Sequence, residues 1–230
     1  MASTLKLMDK RRIKITLKRE MLGMSSNNPN IYREYFEDKA RKGMMERSNA
    51  VADAGGDGMT LEDIDARIED EVAAIDRVPV DEKGITVFPR MMDGTPFMWD
   101  YQLIGAFKDA CSNLRRLSYT RSAKLKAYRK VLDGLIFIGQ EKVPIKVPEG
   151  LKIDYCERPL RASGPQGDRV ALACSEMVPR GSTLEFDVIC MDPSHWDYVE
   201  EWLTYFSLHG LGQWRNSGKG RCVWEYVDRD

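Results

Sequence analysis

From Arg12 to Lys18 apolar and polar residues alternate, with Ile13, Ile15 and Leu17 set against Lys14, Thr16 and Lys18. A period of two predicts a strand with one buried face and one wet, basic face. Asn28-Pro29 offers a cap and a first-turn proline for a helix over Asn30–Lys42, whose apolar face is Ile31, Tyr35 and Phe36. Ser48–Gly58 reads as a flexible break. Thr60 and Asp63, in a capping-box arrangement, open an acidic helix that runs to about Arg77. Its stripe of Leu61, Ile64, Ile68, Val72 and Ile75 keeps close to helical spacing.

Further along, a short strand is expected at Ile85–Phe88, after which Asp100 caps a helix over Tyr101–Leu117. The buried side of that helix is Leu103, Ile104, Phe107, Cys111 and Leu114. A basic linker leads into an expected strand, Val131–Ile138. Strands follow at Leu151–Glu157, Val170–Val178 and Thr183–Met191, the last two joined as a hairpin by the turn Val178-Pro179-Arg180-Gly181. Pro193–His209 reads as a helix with Trp196, Val199, Trp202 and Leu203 facing inward. A glycine-rich loop and a final strand, Arg221–Val227, complete the chain. Setting Asn28–Trp99 aside leaves strand, helix, strands, helix, strand. The prediction is an α+β fold with a ferredoxin-like (RRM-like) β-α-β-β-α-β core and an extra hairpin. It forms a single domain over residues 1–230, with a helical insertion at about 28–99.

Length is consistent with one sizeable core. No apolar run reaches the roughly 18 residues of a membrane span. The first residues, MASTLKLMDKRRIKITLK, carry no apolar stretch of signal-peptide kind. A cytoplasmic location without membrane contact is expected. The five cysteines are scattered and form no C-x-x-C pair, which favours free thiols over zinc ligands or a disulfide framework.

Charge changes the picture more. The chain holds 35 basic and 36 acidic residues, a net charge of −1, which argues against nucleic-acid binding by bulk charge. Acid is nevertheless concentrated in Asp53–Glu82, so the remainder is net basic. Lys and Arg gather at Lys10–Lys18, Arg115–Lys130 and Arg215–Arg221, enough for a local basic surface.

The densest chemistry lies in His209–Arg221. Gly210, Gly212, Gly218 and Gly220 permit positive φ and close approach of backbone amides to a ligand. Arg215, Lys219 and Arg221 suit phosphate, and Trp214 offers a stacking face. A Walker A loop is excluded. Five residues rather than four separate Gly212 from Gly218, Gly220 stands where a hydroxyl must reach magnesium, and the loop precedes a strand instead of a helix.

Three segments carry a family resemblance. Leu211-Gly212 through Ser217-Gly218-Lys219-Gly220-Arg221 resembles the glycine-rich loop L-G-x-x-x-(S/R)-G-x-G-(R/K) of the RAMP (repeat-associated mysterious protein) superfamily. Gly94–Lys108 resembles the segment that opens the first helix in the superfamily's CRISPR backbone subunits, with Trp99-Asp100 in place of the usual Pro-Gly and Ile104 where a basic residue is common. Val178–Phe186 is similar to the turn leading into the third core strand. The three matches occur in family order over about a quarter of the chain.

The resemblance implies non-catalytic binding of single-stranded nucleic acid, RNA above all, by the open sheet face and the glycine loop. It implies a thumb-like hairpin, here around Ser163–Arg169, and phosphate contacts from Lys14, Lys18, Lys108, Arg115, Arg161 and Lys219. With the loop residues Trp214, Arg215, Gly218, Gly220 and Arg221, these are the candidate binding residues. The implied partners are the strand itself and further copies or CRISPR-type subunits. The acidic insertion and near-zero charge keep a second reading open, a phage or mobile-element protein that mimics a RAMP subunit and blocks an immune complex.

Catalytic and metal signatures are weak. His195 sits at a helix start and His209 at a helix end, where a cation favours the dipole. Asp53, Asp57 and Asp93 are loop aspartates of ordinary solvated kind. A calcium loop at Asp53 fails, because Gly55 and Ile64 occupy positions that need oxygen ligands. Trp196, Tyr198, Trp202, Tyr205 and Phe206 are expected to be core. No cofactor is expected.

Overall fold

The computed structural model describes residues 8–26, 85–164 and 167–227, with the side chains of 160–172 left out. The predicted helices Asn30–Lys42 and Thr60–Arg77 lie outside the described residues. What is described is an α+β structure of two sheets and three α-helices.

The first sheet is built on β1 (Asp9–Leu17), flanked by β10 (Thr183–Cys190) and β11 (Cys222–Tyr226), both antiparallel to it. The alternation expected at Arg12–Lys18 is present: Ile13, Ile15 and Leu17 are fully buried, each burial stabilising the fold by roughly 2 kcal/mol. Beyond β10 lie β6 (Ile136–Ile138) and β7 (Lys142–Lys146), which pair with successive parts of it. The edge is β5 (Phe97–Trp99), paired with β7. The strand order is therefore β11-β1-β10-β7-β5, with β6 beside β10.

Helices α1 (Asp100–Leu114) and α3 (Trp196–His209) cover one face, with Phe107 of α1 stacked on Phe206 of α3 at 5.8 Å. Helix α2 (Tyr128–Leu135) joins them at the end of the linker.

A second sheet holds β2 (Met21–Leu22), β3 (Ser25–Ser26), β4 (Thr86–Val87) and the long hairpin of β8 (Asp154–Gly164) and β9 (Gly167–Val178). It is tied by the half-buried Arg90, which pairs with the buried Glu176, whose other carboxylate oxygen accepts the Phe88 amide at 2.7 Å.

Several expectations are corrected. The turn 178–181 does not make a hairpin of β9 and β10; it carries the chain from the second sheet to the first, and β9 pairs with β8 instead. Adjacency in sequence lost to the longer register that β8 offers. Val131–Ile138 is mostly helix, because Tyr128, Val131, Leu132 and Leu135 form a helical stripe within a short apolar run. Strand β7 is an addition to the predicted elements, and Pro144 within it pairs with Phe97 of the edge strand β5. The predicted insertion contributes β4 and β5 to the sheets. Helix α1 stops at Leu114 rather than Leu117, since the Thr120 hydroxyl caps the carbonyls of Leu114 and Leu117 at 2.8 and 2.9 Å. The residue preceding that helix is Trp99, whose amide donates to the Gln102 side chain, and Asp100 is its first residue.

Candidate nucleic-acid interface

The glycine loop follows α3 and precedes β11. The Gly210 amide closes the helix onto the Phe206 carbonyl at 2.9 Å. The chain then crosses itself: the Leu211 amide donates to the Gly220 carbonyl at 3.0 Å, and the Gly220 amide to the Glu20 carbonyl at 2.7 Å. A Cβ on Gly220, where φ is +70°, would overlap the Leu211 carbonyl. On Gly212, a Cβ would stand 2.7 Å from the Leu22 carbonyl oxygen. These glycines serve the crossing of the loop and its contact with Glu20 and the strand β2 that follows it. Gly218 is different, since a Cβ there would meet only the Arg221 side chain, at 3.3 Å.

Most of the loop's charged side chains are already held. Arg215 donates to Asp109 of α1 at 2.7 Å, and the same carboxylate oxygen lies 3.0 Å from His209 Nε2. The His209 ring stacks on Tyr205. Lys219 lies 3.4 Å from Glu20, whose carboxyl is held low by its own backbone amide and, secondarily, by that ammonium. Trp214, at φ 55°, lies under the Arg158 guanidinium at 5.1 Å. Arg158 also donates to Gln213 at 3.0 Å, while its Nε and Nη1 are buried with no acceptor among the described residues.

The open sheet face carries cations and carboxylates in a checkerboard. Lys14 pairs with Glu225 at 3.4 Å, Lys10 with Asp187 at 2.6 Å, and Lys146 with Glu185 at 3.5 Å. Arg12 lies between Glu185 and Asp187, at 3.8 and 3.9 Å. The basic face expected of β1 is thus met by acids from β10 and β11.

Unpaired positive charge gathers at the C-terminal end of β1. The amides of Lys18 and Arg19 both donate to the Arg221 carbonyl, at 2.7 and 3.1 Å. One residue earlier, the Leu17 carbonyl accepts from Gly181, which brings Arg180 to the same end. Lys18, Arg19, Arg180 and Arg221 are all exposed; Lys18, Arg180 and Arg221 have no carboxylate partner among the described residues, while Arg19 helps to hold the neighbouring Glu20 carboxyl low.

The structure therefore brings Lys18, Trp214, Arg215, Gly218, Lys219, Gly220 and Arg221 together. Lys14 is on the sheet face. Lys108 lies on the helix layer, bound to Asp133 at 2.6 Å, and Arg115 lies there over the Tyr128 ring at 4.8 Å. Arg161 is in β8, and its side chain is outside the described residues. The tip of the predicted thumb is the end of the β8–β9 hairpin, where Gly164 pairs with Gly167.

Arg19, Arg180 and Arg158 carry no sequence signal of their own. Arg180 is visible there only as part of a turn, and Arg158 only as one residue of a strand.

Among the described residues no three His, Cys, Asp or Glu side chains gather as a metal would require, and no helix is long and apolar enough to cross a membrane. His195 is buried, which lowers its pKa, and its Nδ1 has no partner there. Burial pushes the thiols of Cys111 up to about 11 and of Cys190 and Cys222 up to about 12.

Among solved structures, the chain is similar to one chain of the type III-B Cmr-beta complex bound to cognate target RNA. The TM-score is 0.51 at 10% identity, over 96% of this chain and 60% of that one. The fold is similar to that of a CRISPR complex subunit. The chain spans about 60% of the length of that Cmr chain. A chain of a type IV-B CRISPR complex gives a TM-score of 0.42 at 9% identity, over 95% of this chain and 90% of that one. No family model matches the sequence, and no curated protein does.

Proposed function

We propose that this protein binds single-stranded nucleic acid, RNA by preference, without cutting it, as a RAMP-type subunit working in a CRISPR-related assembly and in several copies along the strand. The observation that carries this reading is the cluster at one end of β1 of Lys18, Arg180 and Arg221, three exposed cations without carboxylate partners among the described residues, with exposed Arg19 beside them. Unpaired cations at a rigid backbone junction suit a phosphate chain, whereas cations already in ion pairs must first give up a partner. A ferredoxin-like core agrees with the strand order β11-β1-β10 followed by β6 and β7, the fourth, first, third and second strands of that unit. The Cmr structure, determined with its target RNA, supports the strand as ligand.

The test is fluorescence anisotropy with labelled single-stranded RNA and DNA, comparing the native chain with Lys18→Glu plus Arg221→Glu. Both side chains are exposed, so the fold is expected to survive. RNA binding that the double variant weakens clearly supports the reading, and equal binding by both proteins overturns it.

One observation favours a second reading. Glu185, Asp187 and Glu225 neutralise the sheet face that a strand would cross. A subunit mimic that occupies a place in an immune complex and blocks it would need the fold and not the strand. Failure to bind any strand at low salt, with capture of CRISPR subunits, would replace the first reading by this one.

A further inference from the structure

The segment between α1 and α2 holds the other concentration of positive charge. Residues 115–130 contain seven Lys and Arg and no Asp or Glu. Arg121 is paired with Asp197 at 2.6 Å, and Arg129 lies by the Tyr128 ring at 5.9 Å. Arg115, Arg116, Lys124, Lys126 and Lys130 have no carboxylate partner among the described residues, and all five are exposed.

This stretch is held firmly. Glu201 of α3 accepts the Arg121 amide at 2.8 Å, the Ser122 amide at 2.9 Å and the Ser122 hydroxyl at 2.5 Å. The Trp202 indole donates to the same hydroxyl at 2.9 Å, and the Thr120 hydroxyl accepts the Ala123 amide at 3.2 Å. Within it Tyr119 is 82% exposed. A large ring exposed on a pinned loop, with cations on both sides of it in the sequence, presents a free stacking face.

The anchors on α3 fall at Asp197 and Glu201. At 1.5 Å per residue they lie about 12–18 Å along the helix from His209, where the glycine loop begins. The pinned part of the segment, from Thr120 onward, is therefore set apart from the loop, whereas Arg116 at its near end acts together with Arg215 on the Tyr205 hydroxyl. An acidic protein would be satisfied by the charges alone; the exposed tyrosine among them favours a strand with bases to stack. We propose that residues 115–130 form a second nucleic-acid surface, on the helix layer, which takes a single strand by phosphate contact and by stacking a base on Tyr119.

The experiment measures binding of a labelled single-stranded RNA of about 20 nucleotides to the full chain and three variants. One is Tyr119→Ala, one is Lys124→Glu with Lys126→Glu and Lys130→Glu, and one is Lys18→Glu with Arg221→Glu. All substituted residues are exposed, and circular dichroism and melting report the fold. The segment surface predicts about fivefold or greater loss for Tyr119→Ala, a larger loss for the triple variant, and residual binding by the β1-end variant. Unchanged affinity in the triple variant overturns it, as does complete loss in the β1-end variant. Unlabelled polyglutamate is added as competitor. Displacement of RNA by polyglutamate, together with indifference to Tyr119→Ala, would assign the surface to an acidic protein and also overturn it. Full binding by the β1-end variant would instead count against the loop reading alone.

Discussion

Lys14 and Glu225 face each other across β1 and β11, Nζ to Oε1 at 3.4 Å, on the sheet face opposite the helices. The pair is one of a set that also engages Lys10, Arg12 and Lys146, so the cations of this face meet carboxylates of the same molecule. The face that looked basic in β1 alone is close to neutral once its neighbours are in place. Bound phosphate is expected at the end of β1 and not across the sheet.

That distinction can be measured. Glu185→Gln with Glu225→Gln removes two carboxylates from the face and leaves the β1 end untouched. RNA affinity is expected to rise by only about twofold, the effect of a changed surface field screened by salt. A gain of tenfold or more in an anisotropy titration would move the strand onto the sheet.

Gly220 and Gly218 differ in how strictly the fold itself demands a glycine. Gly220→Ala drives a Cβ into the Leu211 carbonyl at positive φ, and a loss of about 3 kcal/mol or more is expected in urea melts. Gly218→Ala meets only a flexible arginine, so about 1 kcal/mol is expected, the cost of its left-handed backbone. Equal losses in the two variants would contradict this account of the loop.

His195 predicts an acid sensitivity. Burial lowers its folded pKa, so between that value and the ordinary value near 6.5 the unfolded chain carries more protons. Stability should fall as pH drops below about 6.5 and level off beneath the folded pKa. His195→Gln should remove that component of the slope in melts taken from pH 7 to 5. An unchanged slope in the variant would place the sensitivity elsewhere.

Much of the fold could be read from local pattern. The alternation at Ile13, Ile15 and Leu17 marked β1, and the spacing of Leu103, Ile104, Phe107 and Cys111 marked α1. Two things failed. The short apolar run Val131–Ile138 reads as strand where Tyr128–Leu135 is helix, and pairing misleads because the partners of β9 are decided by register over a whole hairpin and not by the nearest turn. The candidate site was legible as a loop and only partly as a surface. Arg215 and Lys219 carry the right charge, but Asp109 and Glu20, distant in sequence, already hold them. Arg180 joins Lys18 and Arg221 through the hydrogen bonds that Gly181 and Ser182 make with Leu17, which no motif records.

The most direct test of the central claim is the salt dependence of RNA binding, for the native chain and for Lys18→Ala, Arg19→Ala, Arg180→Ala and Arg221→Ala combined. If the four cations bind phosphate, log K against log salt should flatten in the variant by up to about 2.8, roughly 0.7 for each phosphate that is no longer neutralised on a single strand. Affinity at low salt should fall with it. An identical slope and affinity in the two proteins would contradict strand binding at the end of β1.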